Sequence, residues 1–354
     1  MHVNWKHVAV FLGVLPFAAI LFAWIGFFNV GASSGHWRIT DWFLHFAMRS
    51  AVRTYALAVD VPEELPRSAI QPAAGHYAKG CAMCHGAPGE TRSPPVLRML
   101  PQPPDLARTV GEWTDAQLFR IVKHGIRFTG MPAWPAQARD DEVWAMVAFL
   151  RELPAMTPEA YRGLAYGPHM PAGRPAGLDQ SLVECARCHG ETGEGRSPSV
   201  PVIAGQKRAY LLASLRAYAR GERPSGIMGL AASGIADADL AALARHFASL
   251  PRPPARATGH AAGLAADGEA IARSGIPTRG VPACLGCHER PDRNPAYPNI
   301  AGQPADYLRN QLSLLRAGKR RGTPYSHIMT NVARELTDRE IEALAAFFSG
   351  GSVR

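Results

Sequence analysis

All six cysteines of this chain fall within three copies of one short motif. Cys81-Ala-Met-Cys84-His85, Cys185-Ala-Arg-Cys188-His189 and Cys284-Leu-Gly-Cys287-His288 each read C-x-x-C-H. A disulfide framework would leave the three adjoining histidines without a role. A zinc site needs four ligands, gathered here from motifs roughly a hundred residues apart. A thioredoxin-like pair has no His directly after its second Cys and does not recur in threes.

The spacing fits covalent haem attachment. Two thiols add across the vinyl groups, and the adjoining histidine is held against the iron. Three covalently bound haem c groups are therefore expected, on Cys81 and Cys84, on Cys185 and Cys188, and on Cys284 and Cys287. His85, His189 and His288 are the proximal iron ligands. With 354 residues, three motifs favour three small domains, each completing its core around an apolar haem.

Val8–Val30 carries no charged residue and is long enough to cross a bilayer as a helix, with Gly13 and Pro16 tolerated there. The competing reading is a cleaved signal peptide, with Val30-Gly31-Ala32 as the cleavage site. The stretch exceeds the roughly 7–15 apolar residues of a signal core. Trp24, Phe27 and Phe28 also read as an interfacial belt, and Lys6 precedes the span. Residues 1–30 are read as a cytoplasmic tip and uncleaved anchor, with the haem domains on the outer side of the cytoplasmic membrane.

The formal charge of +9 falls to about +3 to +6 once three haems contribute about −1 or −2 each. The basic residues are scattered except for Lys319-Arg320-Arg321. That run is read as a solvated loop, against a docking point for an acidic redox partner. No nucleic-acid, dinucleotide or phosphate-loop motif is present, so nucleic acid is not an expected partner.

Residues 31–71 form an amphipathic connector. Trp42, Phe43, Phe46, Met48 and Val52 interleave with Arg38, His45, Arg49 and Arg53. It lies on the membrane or a partner, or packs on the first haem domain. That domain spans 72–158. Its capping box Thr114-Asp-Ala-Gln117 opens a helix to about Lys123, stopped by Gly125. Asp140 or Asp141 opens a final helix ended by Pro154. A linker at 159–177, containing PAGRPAG, leads to a second domain at 178–250. A second linker at 251–263 leads to a third domain at 264–354.

The second and third domains are internal repeats. Ile203-Ala-Gly-Gln206 matches Ile300-Ala-Gly-Gln303, and Tyr210-Leu211 matches Tyr307-Leu308. Leu240, Leu243, Ala244 and Phe247 fall at helical spacing, as do Ile341, Leu344, Ala345 and Phe348. Thr337-Asp-Arg-Glu340 caps the last helix. The patterns are helix-rich and strand-poor.

On these motifs and repeats the chain resembles the class I c-type cytochromes. The tandem pair resembles two-haem members, and the first domain resembles single-haem domains fused to oxidases and dehydrogenases. The expected fold is all-α: three class I cytochrome c domains after one N-terminal transmembrane helix. The resemblance implies a distal methionine in each domain. The candidates are Met131 in Thr129-Gly-Met-Pro132, Met228 in Gly226-Ile-Met-Gly229 and Met329 in His327-Ile-Met-Thr330. Their rivals are Met99, His246 and His327. It also implies a proline carbonyl for each proximal histidine: Pro94 or Pro95, Pro198 or Pro201, Pro295 or Pro298.

The expected function is single-electron relay in a respiratory chain, without catalytic residues. The partners are redox proteins of the membrane or periplasm, a dehydrogenase or a terminal oxidase. The alternatives are the cytochrome subunit of a membrane dehydrogenase acting on alcohols, aldehydes or sugars, and a donor to or subunit of a haem-copper oxidase. A haem peroxidase ranks lower, because it needs a haem with an open distal face.

Overall fold

The computed structural model describes residues 4–26, 29–31, 33–167, 177–255, 262–290 and 292–351. Phe27, Phe28 and Ala32, residues 168–176 of the first linker and 256–261 of the second lie outside the described residues. The fold is all-α. Among the described residues the only β-type pairings are two isolated bridges, Ala87 with Glu90 and Ile276 with Val281.

Helix α1 (Trp5–Ile25) is capped by Asn4 and closes at Gly26 in the left-handed region. None of its residues is buried, and it is long and apolar enough to cross a membrane. In α2 (Arg38–Ala56), Val52 and Ala56 are buried, Arg49 stacks on Trp113 and pairs with Glu112 at 3.0 Å, and Arg120 stacks on Tyr55. Its N-terminal half leaves Trp42, Phe43 and Phe46 exposed. The C-terminal half of the helix thus packs on the first haem domain, while its N-terminal half keeps an exposed aromatic face.

The first apolar core joins α3 (Ile70–Gly80), α4 (Ala82–His85), α6 (Leu106–Thr109), α7 (Asp115–His124), α8 (Asp140–Glu152) and α9 (Pro158–Ala165), with the short α5 (Pro94–Leu97) outside it, in sequence between α4 and α6. The Thr114–Gln117 capping box forms, and α7 stops at Gly125. Asp140, Asp141 and Glu142 fill the first turn of α8, where acidic groups suit the helix dipole. Tyr77, Phe149 and Tyr161 are fully buried, with Tyr77 and Phe149 ring centroids 5.1 Å apart. Burying each such ring contributes about 2–3 kcal/mol. Residues 159–165, expected as linker, instead form most of α9. Thr157 caps it, Pro158 starts it, and Tyr161 and Ala165 complete the first core.

The second core gathers α10 (Gly177–His189), α11 (Arg208–Ala219) and α13 (Asp237–Ser249) around Leu211, Leu243, Ala244 and Phe247, and α12 (Gly226–Ala232), packed on α11, belongs with them. The third gathers α14 (Ala262–Ser274), α15 (Ala305–Arg316), α16 (Ser326–Arg334) and α17 (Asp338–Ser349) around Leu308, Ile341, Leu344 and Phe348. Below, each core and its helices is called a unit. The apolar spacing read in the two final helices is the buried face of α13 and α17.

Candidate haem centres

Each C-x-x-C-H motif folds into a single helical turn. The histidine N–H donates to the first cysteine's carbonyl: His85 to Cys81 at 2.9 Å and His288 to Cys284 at 3.0 Å, while His189 ends α10. This turn brings the histidine and the first cysteine of each motif close together. All six cysteines are free of disulfides. Burial pushes the Cys81 and Cys185 thiols up to about 12 and Cys284 up to about 11. Thiols so protonated at neutral pH are not built for disulfide exchange.

Each histidine donates its Nδ1–H to a proline carbonyl: His85 to Pro104 at 2.9 Å, His189 to Pro201 at 3.1 Å, His288 to Pro298 at 2.8 Å. A carbonyl only accepts, so Nδ1 carries the proton and Nε2 keeps its lone pair for a metal. Burial lowers all three imidazoles below their ordinary range, which keeps them neutral. In the second and third motifs the structure selects Pro201 and Pro298 from the expected pairs. In the first it overturns both Pro94 and Pro95. These two begin α5, and the chain returns to the imidazole only at Pro104, where Arg92 also binds the Pro103 carbonyl.

The methionines occupy three different settings, and all three are partly buried. Met131 lies in a turn between α7 and α8, with its N–H on Thr129 Oγ1 and its carbonyl accepting from Ile126. Gly125, at φ +62°, lies so near this turn that a Cβ there would sit 2.5 Å from the Met131 oxygen. Met228 is on α12, whose N-cap Ser225 accepts the Met228 N–H at 3.0 Å. Met329 is on α16, two residues after an exposed His327. Met99 has its methyl against Gly130, beside the Met131 turn. His246 stands on the part-exposed face of α13 against Phe247.

The Lys319–Arg321 run is not a solvated loop throughout. Lys319 reaches Asp140 at 3.5 Å, and Arg320 donates to the Tyr210 hydroxyl at 2.8 Å. Arg223, buried in the second unit, donates to Tyr210, to Ser214 at 3.0 Å and to Gln311 at 3.2 Å, and stacks on Tyr218. Burial alone would raise the Tyr210 hydroxyl, but Arg320 and Arg223 overcome it and hold it below the usual phenol range. Among the described residues these contacts give neither guanidinium a carboxylate, and Arg320 Nε is buried without a hydrogen bond. A buried cation without a counter-charge is costly. This donor set fits a carboxylate-bearing group such as a haem propionate.

The repeated Ala-Gly-Gln elements carry a role that repetition alone does not reveal. Gln206 exchanges two hydrogen bonds with the backbone of Asn299, and Gln303 does the same with Val202. Asn299 and Val202 directly follow Pro298 and Pro201. Each glutamine thus holds the strand of chain that orients the other unit's histidine. The matching Gln206 and Gln303 were the signal available in the sequence; their cross-over needed the fold.

An all-helical chain with three histidines so presented beside paired cysteines is a c-type cytochrome. Residues 265–351 match the family model "Cytochrome c", and residues 68–150 match "Cytochrome C oxidase, cbb3-type, subunit III". Over 191 residues the chain is 33% identical to cytochrome c4 of Pseudomonas aeruginosa, covering 53% of this chain and 92% of that protein. The chain belongs to the cytochrome c4 family of c-type cytochromes. It is 30% identical over 176 residues to the "Thiosulfate dehydrogenase electron acceptor" of Stutzerimonas stutzeri, covering 49% of this chain and 81% of that protein. The crystal structure of reduced recombinant cytochrome c4 from Pseudomonas stutzeri superposes with a TM-score of 0.43 at 31% identity, covering 49% of this chain and 99% of that one.

Proposed function

We propose that the chain is a triheme electron carrier, held by α1 in the cytoplasmic membrane with its haem units on the outer face. The observation that carries this reading is the threefold recurrence of a neutral, carbonyl-anchored histidine beside two free thiols. The haems would be held by Cys81, Cys84 and His85, by Cys185, Cys188 and His189, and by Cys284, Cys287 and His288. Met131, Met228 and Met329 would close the distal faces. Arg223 and Arg320 would neutralise propionates between the second and third units.

Bound there, haem supplies reversible single-electron redox chemistry. The protein's part is to fix spacing, axial ligands and charge. Met131, Met228 and Met329, as iron ligands, would leave no open position for peroxide, which disfavours the peroxidase reading. The matches to an oxidase subunit model and to a dehydrogenase electron acceptor support docking between a dehydrogenase and a terminal oxidase.

Intact mass of the purified protein should show three haem additions. The far-red band of methionine–Fe(III) coordination should fall by about a third in each of Met131→Leu, Met228→Leu and Met329→Leu. Retention of the full band in Met131→Leu and a fall of about a third in Met99→Leu would transfer the first site to Met99. Detergent pull-down of the native protein would identify the partner.

A further inference from the structure

Glu142, on α8 of the first unit, is buried with 6% exposure. It reaches across to the second unit. It accepts from the Ser225 hydroxyl at 2.5 Å and the Gly226 N–H at 2.6 Å, and, within its own unit, from Trp134 Nε1 at 3.2 Å. Arg139 pairs with it at 3.0 Å and also donates to the Pro224 carbonyl at 2.9 Å. Asp141 in turn holds Arg139 through two hydrogen bonds. Pro224, Ser225 and Gly226 are consecutive, and Ile227 alone separates them from Met228.

The Ser225 oxygen that donates to Glu142 also accepts the Met228 N–H. A continuous chain runs from the first unit's carboxylate, through one hydroxyl, to the backbone of the second unit's methionine. α12 is under two turns long, so its direction is set where it begins. That beginning is fixed sterically as well: a Cβ on Gly226 would lie 2.4 Å from Trp134 Nε1.

We infer that Glu142 is a positioning residue for the distal methionine of the second haem, so that docking of the first unit sets the coordination of the next. This rests on Met228 being that ligand. A buried carboxylate is a weak source of stability, since its desolvation offsets most of its attraction to Arg139. What four convergent partners supply is direction. The contacts concentrate on Pro224, Ser225 and Gly226, where the chain enters the Met228 helix, as positioning requires.

The test uses the full-length, haem-loaded protein in detergent. Reduced haems with a methionine ligand give separate, strongly shifted methyl proton signals, one per site, and Met228→Leu identifies the second. Glu142→Ala is expected to shift or broaden that signal and to change one reduction potential, while the Met329 signal stays in place as the folding control. Glu142→Gln keeps an acceptor for Gly226 and is expected to restore most of the signal. Ser225→Ala cuts the chain without removing the carboxylate, and decides the matter if Glu142→Ala does not fold. An unmoved Met228 signal in a folded Glu142→Ala or in Ser225→Ala overturns the inference alone. Three intact signals in Met228→Leu overturn the ligand assignment itself, and the inference with it.

Discussion

Gln303 grips the backbone of Val202 at both ends of its amide, accepting the N–H at 2.9 Å and donating to the carbonyl at 2.7 Å. The preceding residue, Pro201, supplies the carbonyl that orients His189. Gln303→Leu would leave two buried backbone groups unpaired. The expected loss is about 1–3 kcal/mol for each group left unsatisfied, less whatever water recovers. Denaturant unfolding measures the loss. Redox titration should show the second haem's potential moving more than the third's, with the reverse for Gln206→Leu.

Acid should loosen the first unit. His76 lies under Trp134 with ring centroids 4.5 Å apart, and its Nδ1 is buried without a partner. Burial, and then the charge of Lys79, lower its pKa from 6.5 to about 4. Between these values the unfolded chain binds a proton that the folded chain does not. Stability is therefore complete above about pH 6.5 and is lost as pH falls toward 4, by up to about 3 kcal/mol. His76→Phe should flatten that part of the stability–pH curve. An unchanged slope would rule His76 out as the cause.

Gly226→Ala drives a methyl into the Trp134 indole. A shift of the contact between the first two units is expected, costing about 1–3 kcal/mol as overpacked sites do. At Gly229 on the same helix a Cβ would meet only the Tyr218 carbonyl oxygen, at 4.0 Å, an ordinary contact, so Gly229→Ala should be neutral or slightly stabilising. Thermal unfolding of the two variants side by side checks the contrast.

Removing residues 1–36 should move the protein from the membrane fraction to the soluble fraction with haem content unchanged, because α1 buries nothing against the rest of the chain. The N-terminus of the native protein should still precede Trp5. An N-terminus near residue 33 would instead establish a cleaved signal.

The helices were legible where a local rule sets them. The Thr114 and Thr337 capping boxes, the stop at Gly125 and the apolar faces of α13 and α17 depend on residues a turn or two apart. α9 escaped notice because its short sequence sits beside a Gly/Pro-rich stretch, and its place is fixed by Tyr161 packing on Tyr77 and Phe149. The run at Lys319 looked solvated because its partners, Asp140 and Tyr210, lie more than a hundred residues away.

The candidate covalent chemistry was in the sequence: in each of the three motifs the paired thiols and adjacent histidine form one turn of helix, so the motif alone marked where haem is proposed to attach. Only the tertiary structure decided what surrounds those histidines and methionines. Pro104 rather than Pro94 or Pro95 faces His85 because the path of a loop, not its composition, determines which carbonyl arrives. Glu142 meets Ser225, and Gln303 meets Val202, because hydrogen bonds between units depend on how separately folded surfaces pack.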